Sequence, residues 1–139
     1  MMACKLGVTA TRKGLTLKQK DRFLDVIKEL NPHEFHDGDC IGGDEQAHHM
    51  VRDNFELCYM IGHPPDNDKQ RAHMQYDRAH PTKGYIERNH EIVDMVDRMV
   101  AMPDGKVEKK RSGTWATIRY CRTRGRKLTI IYPDGTVGE

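Results

Sequence analysis

Short apolar runs and helix-spaced apolar residues take turns along this chain of 139 residues, and that alternation leaves few folds open. Lys5 to Val8, a brief stretch around Glu34 to His36, Leu57 to Ile61, Met99 to Pro103 and Leu128 to Tyr132 read as strands, the last stopped by Pro133-Asp134-Gly135. Between them, Leu17, Phe23, Leu24, Ile27 and Leu30 mark an amphipathic helix, opened by a capping-box pattern at Thr16 and Gln19 and ended by Pro32. Glu45 to Asn54 suits a second helix and Ala116 to Arg124 a fourth. Tyr85 to Met95 suits a third, with Ile86, Ile92 or Val93, and Val96 toward a core. About five strands alternating with about four helices predict an α/β fold, a Rossmann-like three-layer sandwich with a mainly parallel five-stranded sheet. One domain is the economical reading at this length, large enough to bury about two-thirds of the surface of the unfolded chain. The polar passage from Gly62 to Pro81 carries no periodic signal, and there is no internal repeat.

In such sheets, ligands collect beyond the carboxyl ends of the strands, where the strand order reverses. Three polar, glycine-bearing loops follow predicted strands: Thr9 to Gly14, Gly38 to Asp44, and Arg111 to Thr114. The third is the most telling. Arg111-Ser112-Gly113-Thr114-Trp115 lies between a strand and a helix start, where unpaired backbone N–H groups and the positive end of the helix dipole meet hydroxyl donors and a cationic side chain. That combination predicts a phosphate-bearing ligand.

Charge agrees with a local anion site. Charged residues are 32% of the chain but the net charge is only +2, so no uniform polyanion-binding surface is expected. Lys106, Lys109, Lys110, Arg111, Arg119, Arg122, Arg124, Arg126 and Lys127 instead gather in the C-terminal third. Cys4, Cys40, Cys58 and Cys121 form no CxxC pair, and no charged-then-apolar leader is evident, which suits a reduced, cytoplasmic protein. No apolar run approaches the roughly 20 residues that cross a bilayer. Eight histidines show no HExxH, CxxC or tight ligand spacing, so spacing predicts no metal site.

Several side chains are candidates for the crevice. Thr9, Thr11 and Arg12 can donate to phosphate or ribose oxygens, unless their loop is an ordinary turn with a solvated arginine. Gly42 and Gly43 can let backbone approach a ligand, and Asp44 can meet the ligand or cap the next helix. Asp39 can accept from a ribose or base, or close an Asx turn. His63, between Gly62 and Pro64 at a strand end, is the histidine expected to line the crevice. Tyr85 and Arg88 stand three apart on one helix with Asn89 beside them, a ring, a guanidinium and an amide suited to base and phosphate, or to packing and a surface ion pair.

The Gly7-Val8-Thr9-Ala10-Thr11-Arg12 loop, the Gly38-Asp39-Cys40-Ile41-Gly42-Gly43-Asp44 loop, His63-Pro64, Tyr85-Ile86-Glu87-Arg88-Asn89 and Arg111-Ser112-Gly113-Thr114 come in that order. Together they resemble the SLOG superfamily of Rossmann-like nucleotide-binding domains, which includes the Lonely Guy phosphoribohydrolases and the DNA-processing protein DprA. The resemblance spans most of the chain and implies a nucleotide site at Thr9, Thr11, Arg12, Gly42, Gly43, Asp44, His63, Arg88, Asn89, Arg111, Ser112, Gly113 and Thr114. One departure matters. The hydrolases carry a glutamate at the end of a PGG-G-T-x-x-E motif, and Thr117 stands in its place here. A hydroxyl cannot do a carboxylate's work at an oxocarbenium-like centre.

The resulting expectation is a binder that senses or sequesters a nucleotide or nucleotide-derived signal, ADP-ribose-like or a cyclic nucleotide, without turnover. It would act as a homo-oligomer and need no cofactor. Two alternatives stand beside it. One is a nucleoside 5′-monophosphate N-ribosidase whose carboxylate has moved to Asp44, Glu87 or Glu91. The other is DprA-like single-stranded nucleic-acid binding, through Arg119, Arg122 and Arg126 at helical spacing beside Trp115, a stripe that also reads as a solvated helix face.

Overall fold

Period-two alternation builds the middle of the molecule. In the computed structural model, which describes residues 4–139, Val100 and Met102 point to one face of their strand and Met99 and Ala101 to the other, and all four are buried. A strand buried on both faces needs a layer of helices on each. The elements run β1 (Lys5–Ala10), α1 (Leu17–Leu30), β2 (Glu34–Asp37), α2 (Gly43–Asn54), β3 (Tyr59–Gly62), β4 (Arg78–Ala79), α3 (Tyr85–Met95), β5 (Arg98–Met102), α4 (Gly113–Thr123), β6 (Lys127–Ile131) and β7 (Val137–Gly138). Their order in the sheet is β4-β3-β2-β1-β5-β6-β7, with every neighbouring pair parallel except β6 and β7.

The α/β sandwich matches the sequence expectation, but the sheet has seven strands rather than five. The two additions are edge strands of two residues each. β4 closes one edge within the polar passage, and β7 folds back antiparallel on β6 across the Pro133-Asp134-Gly135 turn. Two residues are too few to show a period, so neither carries a sequence signal.

Each face has its own core. On one, Phe23 and Ile27 of α1 and Ala47 and Val51 of α2 pack on Leu6, Val8, Phe35, Met60, Val100 and Met102. On the other, Ile92 and Val93 of α3 and Trp115, Ile118 and Cys121 of α4 pack on Met99, Ala101, Leu128 and Ile130. Burying each large side chain contributes roughly 1.5–3 kcal/mol relative to exposure. Ile86 does not join the second core and is 72% exposed; its i, i+7 spacing sets it on the face of Val93, but it lies in the first turn of α3.

The Thr16–Gln19 capping box forms as its spacing predicts, with reciprocal bonds of 3.1 and 3.0 Å. Gln19 does more than cap. Its buried Nε2 donates to Pro103 O at 2.8 Å and Ile131 O at 3.0 Å, tying together the carboxyl ends of β5 and β6. No described helix is long and apolar enough to cross a membrane.

Candidate functional site

The chain reverses direction across the sheet at β1, which pairs with β2 on one side and β5 on the other. Beyond the carboxyl ends of β1 and β5 lies a crevice of about 400 Å³, within the usual range for small-molecule sites. Thr9, Thr11 and Arg12 line it from the β1 loop, and Arg111, Ser112, Gly113 and Thr114 from the loop and first turn of α4. Asp44 enters from α2, and Tyr85, Arg88 and Asn89 from α3. Lys13, Asp104 and Lys109 complete the rim. Asp104 binds both lysines at 3.0 Å, which holds its carboxyl below the usual range.

The α4 end of the crevice has the chemistry of an anion site. Ser112 caps the helix, its Oγ accepting from Trp115 N at 3.2 Å, while its hydroxyl hydrogen remains available to a ligand. A Cβ added at Gly113 would meet nothing within 4 Å, so space is open before the first helical N–H groups. Arg12 and Arg111 form no salt bridge among the described residues. The Arg12 guanidinium lies 4.7 Å from the Tyr85 ring centre, and that of Arg88 lies 5.1 Å from it. The Tyr85 hydroxyl is buried without a hydrogen-bond partner among the described residues.

Arg88 is a buried clamp at 4% exposure. Its Nη1 donates to Gly38 O at 2.6 Å and His63 O at 3.2 Å, and its Nε to Asn89 Oδ1 at 2.8 Å. Asp44, also buried, accepts from Gly38 N at 3.1 Å. Burial is the main cause that raises its pKa to about 7; Asp37 adds to the rise, and Arg88 and backbone donors oppose it. Cys40 lines the crevice, but burial pushes its thiol up, which disfavours the nucleophilic thiolate.

Three expectations change. Gly42 and Gly43 do not line the crevice; they let two loops touch. Gly42 has φ +89°, and a Cβ there would strike the backbone of Arg12, while one at Gly43 would lie 2.7 Å from Thr11 O. Gly43 N donates to that same oxygen at 2.8 Å. The contact is backbone on backbone, not backbone on ligand. His63 is also absent from the crevice: fully buried, it faces His36 at 2.7 Å and Glu91 at 2.7 Å. Its backbone follows β3, but alternation sends its ring to the α3 face. Burial, His36 and His80 push its pKa down. Asp39, finally, is consumed by the fold, accepting from Arg71 Nε at 3.0 Å and Met74 N at 2.9 Å.

The displaced-carboxylate candidates also separate. Thr117 is buried and donates to Gly113 O at 2.9 Å. Glu91 pairs with His63 and Lys83, and Glu87 lines a different cavity. Of Asp44, Glu87 and Glu91, Asp44 is the one in the crevice. The arginine stripe is likewise tied down: Arg119 binds Glu108 at 2.7 Å, Arg122 binds Glu139 O at 2.7 Å, and Arg126 binds Val93 O at 3.2 Å. Trp115 is 3% exposed within the core and offers no stacking platform.

Sequence reading missed Lys13 and Asp104 as crevice residues. Lys13 sits beside Arg12 in the first loop, whereas Asp104 follows Pro103 in a loop whose path no pattern specifies. No protein-family profile and no curated protein matches the chain. The X-ray structure of TM1055, a structural-genomics target, resembles it with a TM-score of 0.63 at 18% identity, over 91% of this chain and 72% of that one. At that identity the likeness establishes a Rossmann-like α/β fold and nothing about the ligand.

Proposed function

We propose that the protein binds a nucleotide or nucleotide-derived signal in the crevice at the β1–β5 switch point. The observation that carries this reading is the convergence of Arg12, Arg111 and the open N-terminus of α4 on one cavity beside the Tyr85 ring. Phosphate oxygens would take the helix N–H groups, the Ser112 and Thr114 hydroxyls and the two guanidiniums. Tyr85 would offer a face to a base or ribose. The SLOG resemblance supports the same ligand class.

The test uses the purified chain mixed with nucleoside monophosphates, ADP-ribose and cyclic nucleotides, with mass spectrometry of what is retained and what is released. Intact ligand recovered on denaturation is the expected result. Arg111→Ala and Gly113→Asp should each weaken retention, the second because it sets a carboxylate in open space before the helix. Unchanged affinity in both variants would remove the phosphate from α4.

Asp44 favours a second reading, N-glycosidic bond cleavage. A buried carboxyl with its pKa near 7, in a crevice with cations, is poised for general acid or base work. Appearance of free base from a nucleoside monophosphate, abolished in Asp44→Asn, is its signature.

A further inference from the structure

On the α3 face of the sheet, away from the crevice, His63, His80 and Glu91 bring two ring nitrogens and a carboxylate oxygen within 4.8 Å of one another. They come from three places in the chain. β3 and β4 are neighbouring parallel strands, so the residues just after them, His63 and His80, stand side by side with ring centres 4.6 Å apart. Glu91 reaches the pair from α3.

A hydrogen-bond inventory shows what this group lacks. Three bonds run in series: Glu34 Oε1 to His36 Nε2 at 2.6 Å, His36 Nδ1 to His63 Nε2 at 2.7 Å, and His63 Nδ1 to Glu91 Oε1 at 2.7 Å. Each needs one hydrogen, and a neutral imidazole carries one. Two neutral rings therefore supply two of the three. The third requires an imidazolium or a protonated carboxyl, and both rings are almost fully buried, where a net charge is costly.

A cation on His63 Nδ1 resolves the count. His63 then gives its hydrogen from Nε2 to His36, and His36 gives its own to Glu34. That is the outer arrangement that orients metal-ligating histidines and raises their basicity. Two further observations agree. The Lys83 ammonium already rests on Glu91, so the site as built draws a positive charge. Glu91 also borders a second cavity, whose lining includes Glu87 and Asp94, an acidic entry for a cation.

We propose that His63, His80 and Glu91 bind a divalent transition-metal cation of the zinc class, with His36 and Glu34 as positioning residues. Two imidazoles and one carboxylate form a donor set that zinc accepts, and three protein ligands leave a position for water. Ordinary Zn–N and Zn–O bonds of about 2.0–2.1 Å hold ligand atoms ~3.3 Å apart. Glu91 would therefore withdraw slightly from His63, and Lys83 would swing away.

The experiment titrates Zn²⁺ alone into the chelator-stripped full chain in competition with a chromogenic chelator, with Co²⁺ absorption reporting the ligand geometry. One Zn²⁺ per chain is expected. His80→Ala, at a half-buried ring, and Glu91→Gln should each weaken binding at least tenfold with the far-ultraviolet circular dichroism unchanged. Lys83→Met should tighten it several-fold by removing the competing ammonium. Absence of binding, equal affinity in wild type and Glu91→Gln, or weaker binding in Lys83→Met would each overturn the site.

Discussion

Two polar regions meet at Arg88, and they treat their charges in opposite ways. Toward the crevice, Arg12 and Arg111 carry no ion-pair partner among the described residues and α4 presents its first N–H groups to open space. Toward the α3 face, His36, His63 and Glu91 spend every ring nitrogen and carboxylate oxygen on one another, on Glu34 or on Lys83. Polar groups left open at a surface cost little, because water satisfies them until a ligand replaces it. Polar groups inside must be paired, because each orphan costs the full desolvation of that group. The first region thus leaves its charges open, as the proposed anion ligand requires, and the second pairs its own, with the proposed cation as the alternative to that pairing.

Arg88 links the two, and removing it should have the largest effect. Arg88→Ala strips donors from Gly38 O and His63 O and leaves Asp44 without its cation. A loss of about 3–5 kcal/mol in urea unfolding is expected. A loss below ~1 kcal/mol would mean that the crevice and the histidine cluster are held independently.

Next comes Asp44, whose folded-state pKa of about 7 lies above its ordinary 3.8. Its neutral form favours the fold, so this contribution is complete below pH ~4 and is lost as pH rises through 7. Asp44→Asn should therefore gain on the wild type between pH 4 and 8, by up to ~4 kcal/mol. Parallel stability curves for the two proteins would show that Asp44 titrates normally. Ionisation of Asp44 also adds a negative charge to the crevice, so ADP-ribose affinity should fall above pH 7 in the wild type and stay level in the variant.

Smaller effects are expected from the open cations. Arg12→Ala and Arg111→Ala should each cost about 1.5–3 kcal/mol of nucleotide affinity, the range for hydrogen bonds to charged groups, with unfolding midpoints unchanged. A drop in stability instead would place them with the paired region. The smallest effect belongs to Arg119, whose exposed pair with Glu108 should contribute only ~0–1 kcal/mol. Salt-dependent oligonucleotide binding that disappears in Arg119→Ala would revive the nucleic-acid alternative.

Much of this was legible in the chain. The Thr16–Gln19 capping box, the helical spacing from Leu17 to Leu30 and the alternation of Met99 to Met102 report local geometry, and local geometry is what side-chain periodicity encodes. That the loop at Arg111 to Thr114 leads into a helix start was equally readable, since a capped helix start is built from consecutive residues. Gly42 and Gly43 misled because a glycine announces a close approach without naming what approaches, and here it is the backbone of Arg12 and Thr11.

What the sequence alone determined, then, was the alternation of elements, the two-sided burial of the sheet and the loops gathered at its carboxyl edge. All of these follow from spacing over ten or so residues. Only the tertiary structure decided that Arg88 would spend its guanidinium on two backbone carbonyls, that Asp44 would be buried beside them, and that His36, His63, His80 and Glu91 would meet. Those residues lie in separate strands and a helix, and their chemistry depends on a register and a strand order that no local pattern records.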